Sequence, residues 1–160
     1  MRVRKIISGG QTGADRAALD FALENNLETG GWIPKNRLAE DGRIPEKYPN
    51  LRETETENPA ERTGLNVQDS DATLIFSRGD LKGGSKLTLE MCDKHAKPRL
   101  HIDFEKTDFS RAVKKAQQFV IFSNCQTLNI AGARASEDAR IYEKTKDFLN
   151  QLFKTFNNLS

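Results

Sequence analysis

Three short stretches hold the residues whose types and spacing could do chemistry: "SGGQTGADR" (8–16), "SRGDLKGGSK" (77–86) and "GARAS" (132–136). Between them they carry Gly9, Gly10, Gly13, Gly79, Gly83, Gly84 and Gly132, more than half of the chain's 11 glycines. They also carry Arg16, Arg78, Lys82, Lys86 and Arg134. Glycine permits positive φ and lets a ligand approach the backbone. Cations beside bare amides are what a phosphate-bearing ligand needs. The competing reading of any one such turn is that its glycines serve packing alone. The first of these turns matches neither G-x-G-x-x-G nor G-x-x-x-x-G-K-[ST], so neither fingerprint is met there.

The elements that must position these turns alternate between strand and helix. "VRKIIS" (3–8) reads as a strand, and Ala14, Ala17, Ala18, Phe21 and Ala22 recur at helical spacing behind it. Thr12 and Asp15 have the spacing of a capping box, which places the helix start just after Thr12. A second strand over 29–33, a charged loop over 34–50 and a marginal strand over 51–56 follow. Asn58-Pro59 opens a helix, "ATLIFS" (72–77) is the clearest buried strand, and a helix follows from Ser85 to His95. A strand over 99–104, a helix over 109–122, a strand over 127–132 and a closing helix from Ser136 to Phe156 complete the chain. Such alternation predicts an α/β fold with a mostly parallel sheet covered by helices on both faces. In a parallel sheet all three glycine-rich turns lie at the carboxyl edge of the strands, where open α/β sheets bind ligands.

Composition narrows the function classes. At 160 residues the chain reads as a single domain over 1–160. Lys plus Arg number 25 against 23 Asp plus Glu, a net charge of +2 that gives no basic excess for nucleic acid. No apolar run approaches a membrane span or a signal sequence. Cys92 and Cys125 are far apart and suit free thiols in a reducing, cytoplasmic setting. Metal ligation is poorly supported: Cys92 and His95 at i, i+3 supply at most half of a four-ligand set. The expected partner is a phosphate-bearing small molecule, and the ends of the last helix leave a homo-oligomer open.

Together, "SGGQTGADRAALDFA", "GGWIPKNRLAEDGRIPEKYPNLRETET", "ERTGLNVQDSDATLIFSRG", "LKGGSKLTLE" and "LNIAGARASEDARIYEKTKDFL" resemble the molybdenum carrier family of bacterial Rossmann-like proteins. The resemblance covers nearly the whole chain. The wider group includes the DNA-processing protein fold and the lonely-guy phosphoribohydrolases, and it implies a nucleotide-like ligand in a cleft above the sheet. Molybdenum cofactor, which carries a phosphate, is the ligand that the family name implies. Leu65, Gln68 and Ala133 depart from the family pattern, and the first two remove an aromatic and a cation from their helix.

The candidate binding set is Gly9, Gly10, Gln11, Thr12, Gly13, Asp15, Arg16, Arg78, Gly79, Gly83, Gly84, Ser85, Gly132 and Arg134. A non-catalytic carrier is the favoured reading. The alternative is an N-glycosidic hydrolase using Glu90, whose place in "GGSKLTLE" resembles the glutamate of the lonely-guy motif. Lys86 and Leu87 replace that motif's glycine and threonine, and Lys86 can pair with Glu90 at i+4. Trp32 either stacks on a ligand ring or caps the core, and the loop bearing Lys35, Arg37, Glu40 and Asp41 could close over the cleft.

Overall fold

In the computed structural model, which describes residues 3–159, the apolar and β-branched runs pair as parallel strands. These are β1 (Lys5–Ile7), β2 (Glu28–Ile33), β5 (Leu51–Glu53), β6 (Ala72–Ser77), β7 (Arg99–Asp103) and β8 (Thr127–Gly132). They form one sheet in the order β5-β2-β1-β8-β6-β7, with every pairing parallel. All six residues of β6 are buried, as expected of an inner strand covered on both faces. The helices are α1 (Ala14–Glu24), α2 (Pro59–Gln68), α3 (Gly83–Lys94), α4 (Phe109–Phe122) and α5 (Ile141–Asn157).

Local chemistry sets where the helices begin. Asn58 caps α2 by accepting the Ala60 N–H at 3.0 Å, with Pro59 at the first helical position. Asp108 caps α4 by accepting the Arg111 N–H at 3.1 Å. Small buried residues on α1 (Ala14, Ala18, Ala22) let it lie close to the sheet, within a core shared with α4 and α5 and built around Phe21, Phe76 and Phe148. Helices α2 and α3 pack on each other, completing an α/β Rossmann-like arrangement.

Beyond strand ends that shift by one to three residues, as at β1 (Lys5–Ile7, expected over 3–8) and β5 (Leu51–Glu53, expected over 51–56), the structure departs from the sequence expectations in four places. First, α5 starts at Ile141, not Ser136, because residues 133–140 form a turn in which the Glu137 and Asp138 N–H groups return to the Arg134 carbonyl. Second, α3 starts at Gly83, two residues early. Third, the 34–50 segment is ordered. It holds a 3-10 turn (Lys35–Arg37) and an antiparallel hairpin of β3 (Leu38–Ala39) and β4 (Gly42–Arg43). The buried Arg37 side chain donates from Nε to the Ile44 carbonyl at 2.9 Å and from Nη2 to the Pro45 carbonyl at 2.8 Å. A small apolar cluster (Leu19, Ile33, Ala39, Ile44, Tyr48) fixes the segment against α1.

Fourth, there is no capping box at α1. The N-cap is Gly13, with no side-chain cap bond. Thr12 instead donates its hydroxyl to the Glu40 carboxylate and accepts the Ala135 N–H at 3.2 Å. Gly13 sits at φ +83, where a Cβ would lie 2.4 Å from the Ala133 carbonyl oxygen, so both backbone angle and close approach require glycine. Gly13→Ala is expected to cost about 2 kcal/mol. That lowers the melting temperature by roughly 5 °C in a chain of this size, which thermal unfolding followed by circular dichroism measures.

Candidate functional site

Strands β1, β8 and β6 are neighbours and parallel, so the turns that leave them meet at one edge of the sheet. They enclose a cleft of about 180 Å³. The first turn brings Gly9, Gln11 and Asp15 to it; the second, with the start of α3, brings Gly84, Ser85 and Thr88. Gly132, Arg134 and Glu137 come from the third. Half of the sequence-derived candidates therefore line one cavity: Gly9, Gln11, Asp15, Gly84, Ser85, Gly132 and Arg134.

The remaining candidates have other surroundings. At Gly10 a Cβ would meet Ile44 at 2.9 Å and Ile33 at 3.2 Å, so that position faces the apolar cluster under the hairpin rather than a ligand. Gly13 packs on the third turn, as described above. Arg16 is clamped on Asp41 at the hairpin tip, with Nη1 and Nη2 at 2.5 and 2.7 Å from its two oxygens. The neighbouring Glu40 accepts from Thr12, from the Ser136 N–H at 3.2 Å and from the Ser136 hydroxyl at 2.5 Å. Arg134 lines the cleft but directs Nε to Glu137 at 3.0 Å and lies 3.7 Å from Glu40. Arg78 is half exposed and lies 3.8 Å from Asp138. The Gly79 N–H is taken by Asp103 at 2.8 Å, and Gly83 is exposed beside open space. Glu90 is exposed and is not among the lining residues, and no ion pair joins it to Lys86. Its position leaves the hydrolase reading without the glutamate that it rested on in the cleft.

What the sequence reading missed comes from α2. Pro59, Arg62, Thr63 and Asn66 follow one another at i, i+3, i+4 and i+7 and all line the cleft. Asn66 is buried and brackets Trp32, accepting its N–H at 2.7 Å and donating to its carbonyl at 2.9 Å. These bonds hold α2 against β2. Arg62 is only 8 % exposed and donates from Nη1 to the Gly9 carbonyl at 2.6 Å and from Nε to Thr63 Oγ1 at 3.3 Å. It forms no ion pair with any carboxylate of the described residues. Burial lowers its pKa, opposed by the negative field of Asp15, yet a guanidinium keeps its proton at any physiological pH. A buried cation with no carboxylate in ion-pair contact is costly, and an anion that joins it offsets that cost.

Asp15 shares the cleft. Burial pushes its carboxyl up to about 6, against the opposing effects of Arg62, the Gln11 N–H, Arg16 and the Gly9 N–H. The Gln11 amide donates to Oδ2 at 3.2 Å. A buried cation in no ion pair and an acid whose carboxyl burial pushes up to about 6 thus face one small space at the ends of three strands.

Other chemistry-bearing residues lie elsewhere. Trp32 lines a separate depression with Lys5, Arg52 and Asp69; its indole N–H donates to Asp69 at 2.7 Å and Arg52 sits 5.5 Å from the ring. Both cysteines are buried, and burial pushes the Cys125 thiol up to about 12. Among the described residues no group of three or more His, Cys, Asp and Glu side chains comes together to hold a metal, and no helix is long and apolar enough to cross a membrane.

Residues 6–153 match the profile of the circularly permutated YpsA SLOG family. The crystal structure of a putative molybdenum carrier protein from Syntrophus aciditrophicus SB superposes with a TM-score of 0.92 at 50% sequence identity, covering 94% of each chain. No functionally curated protein matches the chain.

The Asp15 environment has a measurable consequence for stability. Because its folded pKa lies above the unfolded value of 3.8, the folded state binds the extra proton between 3.8 and about 6. This contribution favours folding at low pH and is lost as pH rises through that window. Asp15→Asn, which mimics the neutral acid, is expected to be more stable than the parent above pH 6, by on the order of 2 kcal/mol. The difference should shrink towards pH 4. Denaturant midpoints at several pH values check this.

Proposed function

The chain belongs to the circularly permutated YpsA SLOG family, and from that premise we propose that it is a carrier that holds a phosphate-bearing, nucleotide-like ligand at the carboxyl edge of its sheet. The observation that carries this reading is the buried Arg62, which lines the cleft and pairs with no carboxylate. Gly84 and Ser85, in the first turn of α3, add the positive end of a helix to the same space. An anion bound there exchanges the desolvation cost of Arg62 for charge-assisted hydrogen bonds.

Size limits what enters. The cleft, about 180 Å³, lies below the roughly 300–1,000 Å³ of pockets that enclose a drug-sized ligand. It accepts a phosphate group and leaves the larger part of a nucleotide-like ligand at the mouth. The solved relative is described as a molybdenum carrier, and molybdenum cofactor, the ligand that the family resemblance implies, fits on these terms. Arg62 and the start of α3 would hold its phosphate end, and the molybdenum chemistry would belong to the cofactor.

Arg62→Met keeps the length and apolar stem of the side chain and removes the charge. At pH 6 the parent is expected to bind adenosine monophosphate and inorganic phosphate in isothermal titration. The variant should lose about tenfold or more in affinity, the usual worth of a hydrogen bond to a charged group. Unchanged affinity in a folded Arg62→Met, or no response of the parent to any phosphate compound, would contradict the assignment.

A further inference from the structure

The cleft is richer in acceptors than a simple anion hole. The Ser85 hydroxyl spends its proton on the Lys82 carbonyl at 2.8 Å, Thr88 on the Gly84 carbonyl at 2.9 Å and Thr63 on the Pro59 carbonyl at 3.0 Å. Those three oxygens offer lone pairs, not protons, to the cavity they line. Asp15 adds a carboxylate, held in place by the Gln11 N–H. Against these acceptors stands Arg62.

The charged groups around Asp15 are few. Arg16, on its own helix, is drawn to Asp41, and α2 supplies only Arg62. From the β8–α5 turn come Arg134 and Glu137, which pair with each other. The part of α3 in the lining, Gly84, Ser85 and Thr88, carries no charge. A ligand oxygen that meets Arg62 therefore brings its neighbours against Asp15, with no second free cation in the cleft among the described residues.

Resting on the carrier reading above, we propose that Asp15 makes the cleft selective for oxoanions that bring a proton: hydrogen phosphate, or a phosphate monoester that takes up a proton on binding. The P–OH donates to the Asp15 carboxylate while the charged oxygens face Arg62. A tetrahedral dianion with no proton, such as sulfate or molybdate, sets a bare oxygen against the carboxylate and is rejected. The repulsion is strong because the site is buried. When Asp15 is itself protonated it becomes the donor, and the discrimination lapses.

The test is isothermal titration of the full chain and of Asp15→Asn with inorganic phosphate and sulfate at pH 5 and pH 8, and with molybdate at pH 8. At pH 8 the parent should prefer phosphate to sulfate and to molybdate by at least tenfold. Its sulfate affinity should fall about tenfold per pH unit above 6, where Asp15 loses its proton. Asp15→Asn should bind phosphate, sulfate and molybdate within a few-fold of one another at pH 8. Equal binding of the three by the parent at pH 8, or a preference that persists in Asp15→Asn, would overturn the proposal and leave the anion site standing. No binding of any anion by either protein at either pH would overturn the carrier reading with it.

Discussion

The bond from Arg62 Nη1 to the Gly9 carbonyl, 2.6 Å long and buried, is the contact on which the rest of the arrangement depends. It joins the middle of α2 to the end of β1, two segments far apart in sequence, and closes one wall of the cleft. Gly9 must be glycine for it, since a Cβ there would lie 2.4 Å from Nη1. A carbonyl satisfies one N–H but does not neutralise a charge, so the guanidinium keeps its appetite for an anion after folding.

The other cations near this edge show what a satisfied charge looks like. Glu40 and Asp41, side by side at the hairpin tip, reach across to Thr12, Ser136, Arg134 and Arg16. They act as internal anions, fastening the hairpin over the start of α1 and consuming charges that sequence reading had assigned to a ligand. Arg62, on a different helix and deeper in the fold, is out of their reach. Of the arginines at this edge, Arg16 and Arg134 fasten the hairpin and the third turn, and Arg62 is left for binding.

Much of this was legible in the sequence, and the failures have physical causes. Parallel β1, β6 and β8 announce themselves as apolar runs, and parallel pairing alone brings three turns to one edge. Gly10 and Gly13 were read as making room for a ligand, but glycine also makes room for protein: Ile44 and Ile33 in one case, the Ala133 carbonyl in the other. The partner atoms lie 20 or more residues away, so the local sequence does not reveal which demand applies. Thr12 illustrates the same point, because its capping role is displaced by a carboxylate from a hairpin that charge and proline content made look like an open loop. Arg62 carried a usable signal. Arg62, Thr63 and Asn66 place polar groups at helical spacing on the face that also carries Pro59, and a polar stripe on a helix that must pack against a sheet has to meet a partner.

A crystal structure of the protein grown with inorganic phosphate near neutral pH tests the central claim most directly. The account predicts phosphate in the cleft, with oxygens within hydrogen-bond reach of the Arg62 guanidinium and one oxygen on the Asp15 carboxylate. Phosphate seated instead on Arg16 or Arg134 with the hairpin displaced, or Arg62 turned into an ion pair with Asp15, would contradict it.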